Sequence, residues 1–125
     1  MKIATLIARI LLGVLFLVFG LNGLLHFIPL PLPSGLAGQY MGALFVSHYL
    51  VVVFLLQVIG AALLLANRFV PLALVLLGPI VVNILLFHSL MAPAGLPLAL
   101  SATLLWGILF YSVRHAFAGV FVQRV

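Results

Sequence analysis

The sequence predicts an all-α protein, an integral membrane four-helix bundle with one short interfacial helix in the first outer loop. Three observations carry this reading. The chain has 125 residues, 68% of them hydrophobic and 4% charged, with a mean hydropathy of +1.55; no soluble domain of this length has polar surface enough to cover so much apolar matter. The stretch VPLALVLLGPIVVNILLFHSL, Val70 to Leu90, carries no formal charge and would be about 31 Å long as a helix, the thickness of a bilayer's hydrocarbon core. Three further runs share its character, so one membrane domain covering residues 1–125 is expected.

The first span is predicted from Ile10 to about Phe27, after Lys2 and Arg9. Basic residues and an apolar run also open a secretory signal. This run is longer than a typical h-region and no small-residue cleavage site follows, so an uncleaved span is predicted. Arg9, Gly13, Phe16, Gly20 and Gly23 recur along one stripe suited to close helix contact. Phe19, Asn22 and His26 fall on another face, giving the helix two sides that want protein or ligand neighbours.

Pro29, Pro31 and Pro33 alternate and read as an extended connector. Ser34 is placed to cap a short helix from Gly35 to Phe45, with Leu36, Tyr40 and Leu44 on one face, at the membrane interface. The second span is read from Val46 to Ala66, with His48 near its start and Gln57, Gly60 and Ala61 forming a small and polar packing patch. Asn67 and Arg68 leave room for only a tight turn, so the second and third spans are antiparallel neighbours. The third span is Val70 to Leu90. Pro71 sits in its first turn, where proline is tolerated, and Pro79 in its interior, where it removes a hydrogen bond and favours a kink. Ala92 to Pro97 breaks the helix, the fourth span follows from about Leu98 to Val113, and the last ten or so residues form an interfacial tail.

The absences narrow the chemistry. Without cysteine there is no disulfide, thiol exchange or thiolate metal site of the chain's own, and without Asp or Glu no carboxylate proton relay. A small proton-coupled transporter is disfavoured for that reason. The net charge of +5 comes from scattered single residues, which argues against nucleic acid as a partner. With four spans, Lys2, Arg9, Arg68, Arg114 and Arg124 all fall at one end, which the positive-inside rule makes cytoplasmic, both termini included.

That topology gathers Asn22, His26, His48, Asn83 and His88 at the opposite, outer end. They are the candidate binding residues. Asn and His donors among aromatic side chains suit the two carbonyls and flat ring of a quinone, or a lipid head group. Mutual hydrogen bonds that lock the helices together are the plainer alternative. Haem or a metal fits less well: Asn83 and His88 stand about 140° apart around a helix, and no histidine pair has an i, i+4 ligand spacing. The segment Asn22 to Pro29 is echoed by Asn83 to Pro93, as two tandem two-helix units would produce.

Several segments resemble a known family. The run from Arg9 to Gly23 (RILLGVLFLVFGLNG), the segment GAALLLANR from Gly60 to Arg68, and above all NRFVPLALVLLGPIVVNILLFHSLMAPAGLP from Asn67 to Pro97 are similar to the DoxX-like family of small bacterial membrane proteins, over almost the whole chain. The resemblance implies a four-helix bundle in the bacterial inner membrane and a link to respiratory or sulfur redox chemistry, since relatives include the membrane subunit of a thiosulfate:quinone oxidoreductase. Such relatives often carry an acid where Gln57 stands and a lysine near Asn22, so those charges are missing here. The resulting expectation is an accessory subunit of a redox or respiratory membrane complex, with no catalytic residue and no activity on its own. Its partners would be membrane lipids and a larger membrane protein or further copies of itself. A purely structural subunit is the alternative.

Overall fold

The computed structural model describes residues 2–29 and 33–125 and is 85% helical. Its α-helices are α1 (Lys2–Leu25), α2 (Gly35–Val46), α3 (Tyr49–Ala66), α4 (Val70–Leu90) and α5 (Leu96–Ser112), with single-turn 3₁₀ helix at Pro93–Gly95 and a longer 3₁₀ segment over Arg114–Phe121. The chain is a membrane protein: four of its helical segments are long and apolar enough to cross a bilayer. α1, α3, α4 and α5 form a ring in which each packs on the next in sequence and α5 closes back on α1, while the short α2 rests on α3. The helices present exposed Ile, Leu, Val and Phe outward, Ile7, Val14, Val52, Ile59, Val75, Val82 and Leu104 among them. Such a surface suits the interior of a bilayer rather than water.

The helix boundaries differ from the expected spans where charge or a corner intervenes. α1 begins at Lys2 rather than Ile10, because Lys and Arg are good helix formers and the helix extends past the apolar run. The apolar stretch around Val46 breaks at Ser47 and His48, with His48 left-handed at φ 63°, so α3 starts at Tyr49. α4 spans Val70–Leu90 as predicted and continues through Pro79. Pro31, in the middle of the proline connector, lies outside the described residues.

The small-residue stripe of α1 is the seam with α3. A Cβ on Gly13 would lie 2.7 Å from Leu65 and one on Gly20 2.9 Å from Val58, so the two backbones approach as closely as they do only because those side chains are missing. The turn from α3 to α4 ends α3 in a Schellman arrangement. Asn67 stands left-handed (φ 54°), its N–H donating to Leu64 O at 3.1 Å, while Arg68 N–H donates to Leu63 O at 3.0 Å. Arg9 completes this cap from across the seam: its Nη1 donates to Leu64 O at 2.6 Å and Leu65 O at 3.2 Å.

Between the terminal end and mid-bundle the interior is solid, filled by Leu12, Leu64, Leu74, Leu77 and Leu109, all fully buried. Trp106 lies in this half, half-buried, its Nε1 donating to Leu74 O at 3.1 Å and its ring stacked on Phe110. Towards the loop end, small residues replace large ones on α5, where Ala99 and Ala102 are the buried positions. The interior opens there.

Candidate functional site: a polar-tipped chamber at the loop end

The opening is a half-open chamber of about 390 Å³, walled by all four spans and by α2, within the size range of small-molecule sites. Phe16, Gln57, Ile80 and Ala102, all buried, form its base, where the solid core ends. Phe19, Phe54 and Phe87 supply flat apolar wall. Tyr40 and Leu44 of α2 line it too, and the Tyr40 ring lies 5.7 Å from Phe87 between centroids. Spaced one turn apart on α2, these two share a face as the sequence predicts. Leu36, expected on the same face, is exposed.

Among largely apolar walls, Tyr40, Gln57, Asn83 and His88 bring four polar side chains. Gln57 is 4% exposed, and its Nε2 donates to Phe16 O at 3.1 Å across the α1–α3 seam. That bond takes one of the two amide hydrogens and leaves the amide oxygen as an acceptor. His88 is pinned more tightly. Its Nδ1 lies 3.1 Å from Ala92 O; a carbonyl only accepts, so Nδ1 carries the hydrogen and Nε2 of the neutral ring is the free lone pair. The imidazole meets Phe87 edge-on at 5.1 Å and packs so closely on Gly95 that a Cβ there would collide with the ring. Glycine at 95 is therefore what lets His88 occupy this place.

The five sequence-predicted residues all stand at the loop end of their helices, but only Asn83 and His88 line the chamber. Asn22 is buried at 6% exposure, with its Oδ1 accepting from Ile28 N–H at 2.6 Å. His26 follows α1 in the left-handed conformation (φ 56°), and its N–H donates to Asn22 O at 2.7 Å. Together they close the helix in an αL cap. The His26 ring is exposed and meets Phe45 edge-on at 6.2 Å. His48, also exposed and left-handed, is the corner between α2 and α3. Two of the three loop-end histidines thus turn the chain, and among the described residues no group of three or more His converges as metal ligands do. The Asn22 and Asn83 segments, alike in sequence, play different parts.

Sequence reasoning missed Gln57 and Tyr40 as chamber residues. Gln57 reads as a packing residue because it lies among Gly60 and Ala61, and it does pack. Its depth in the second span, level with the base of any cavity opening from the His-bearing end, was the available signal. Comparison with protein family models, with characterised proteins and with solved structures finds no match to the chain.

Proposed function

We propose that this protein holds a lipid-soluble, carbonyl-bearing ligand in the loop-end chamber, with a quinone head group as the occupant its lining suits best. It would act as an accessory subunit of a redox membrane assembly rather than as an enzyme. The observation that carries the reading is the chamber itself: aromatic walls with a few polar groups at one end, the pattern of a site for a flat amphiphile. The Tyr40 hydroxyl and the Asn83 amide nitrogen can donate to ligand carbonyls. His88 can donate from Nε2 only once protonated, and in its neutral form accepts a hydroxyl, as on a quinol. The redox setting follows from the resemblance to DoxX-like proteins. In this proposal the chain sits in a bacterial inner membrane with both termini cytoplasmic, because every Lys and Arg belongs to the end opposite the chamber.

A structural subunit without ligand is the second reading, favoured by Asn22 and Gln57, whose amides serve backbone groups. Solvent extraction of protein purified in mild detergent separates the two. The quinone reading expects a near-stoichiometric quinone in the extract, falling about tenfold or more when Asn83 and His88 are both replaced by alanine, as for two lost hydrogen bonds of ~1 kcal/mol each. An empty extract, or one unchanged by the double substitution, sinks it.

Orientation has its own test. The chain has no cysteine, so single substitutions report cleanly. In spheroplasts, Ser89→Cys is expected to react with a membrane-impermeant maleimide and Arg68→Cys only after permeabilisation. Labelling of both from one side would overturn the topology.

A further inference from the structure

A second cavity lies at the opposite end of the bundle, independent of the chamber. It is a mouth of about 650 Å³ among the first turns of α1, the α3–α4 turn and the last turn of α5. Lys2, Arg9 and Arg114 line it, with Thr5 and Asn67 as further donors. The chain has no Asp or Glu side chain anywhere, so no side chain of its own can neutralise these three cations. Among the described residues their remaining donors have no acceptor. Arg9 spends Nη1 on the α3 carbonyls and, among the described residues, its other guanidinium nitrogens have no acceptor. No buried side-chain nitrogen or oxygen among those residues lacks a partner, so the rest of the fork opens onto the mouth. Arg114 is held at the rim by its own Tyr111, with Nη1 donating to Tyr111 O at 2.6 Å and Cζ 4.1 Å from the ring centroid. Arg9, half-buried and anchored across the seam with donors to spare, is a preorganised oxyanion receptor, and the exposed Arg114, tied to Tyr111, stands beside it.

We infer that this mouth binds a phosphate group, with Arg9 and Arg114 as its fixed prongs and Lys2 as a mobile third. At the end of a membrane bundle such a phosphate comes from an anionic phospholipid head group or from a soluble phosphate ester, and both satisfy the same donors. Leu6, Val70 and Leu109 in the wall below favour the lipid.

Native mass spectrometry of the intact protein, delipidated and then titrated with phosphatidylglycerol, phosphatidylcholine or glycerol 3-phosphate, tests this. One phosphatidylglycerol is expected to be retained in preference to phosphatidylcholine. Replacing Lys2 and Arg114 together by Gln is expected to weaken retention on the order of tenfold or more, while circular dichroism stays unchanged because both side chains are exposed. The control removes the same charge elsewhere: Arg68→Gln with Arg124→Gln, neither of which lines the mouth, is expected to leave retention intact. Displacement of the lipid by glycerol 3-phosphate at matched concentration would assign the site to the soluble ester and keep the phosphate receptor. Equal loss in both double variants would reduce the effect to diffuse charge and overturn the site, as would failure to retain any of the three probes.

Discussion

Gly60→Val is expected to destabilise the bundle by about 1–3 kcal/mol, the usual cost of overpacking a filled core. A Cβ at position 60 would stand 2.8, 2.9 and 3.2 Å from three side-chain carbons of Leu77. Leu77 is fully buried in the solid half of the interior and has nowhere to retreat. The α3 and α4 backbones must therefore separate, which strips contacts along the whole seam, and in lipid it is such packing rather than a hydrophobic drive that holds spans together. Gly107→Ala is the matching control. Nothing lies within 4 Å of its added methyl, and alanine improves helix propensity, so no loss is expected. Reversible unfolding in mixed micelles measures both, and equal effects would mean that the seam is looser than described.

Arg9→Ala should cost a similar amount, about 1.5–3 kcal/mol, as hydrogen bonds to a charged group do. The Schellman turn provides N–H partners for Leu63 and Leu64 carbonyls, but it provides none for Leu65 O, which the Arg9 guanidinium serves. Removing Arg9 leaves that carbonyl at the negative end of the α3 dipole without partner or compensating charge. Lysine at this position would keep the charge and lose the fork, so a partial loss is expected of Arg9→Lys. Arg68→Ala, at an exposed position, should fall within ~0.5 kcal/mol of the parent. Hydrogen exchange localised to the end of α3 would show whether the loss arises there.

Long-range architecture is legible in this sequence because few devices specify it. Unbroken apolar length defines the spans, the proline-rich and Asn-Arg breaks order them, and a charge-free run such as Val70 to Leu90 leaves little choice of boundary. The Arg9 cap could be anticipated as well: a guanidinium at the entry to the first span faces the end of an antiparallel neighbour, and α3 is that neighbour. The site was legible in part. Asn83 and His88 reach the chamber because α4 is a regular helix whose faces follow from its period. His26 and His48 do not, because each occupies a left-handed corner, and corner geometry depends on how the loop closes rather than on residue spacing. Gln57 and Tyr40 join the site through tertiary placement: Gln57 because the large core residues give way to Ala99 and Ala102 level with it, Tyr40 because α2 folds over the opening.

The most direct measurement is photolabelling with an azidoquinone followed by peptide mapping, since it asks where the ligand sits rather than whether one is present. Label is expected on residues that line the chamber, around Tyr40, Phe54 and Asn83, suppressed by excess unmodified quinone. Label confined to the lipid-facing side chains of α1 and α5, or unaffected by competitor, would contradict a chamber built to hold a ligand.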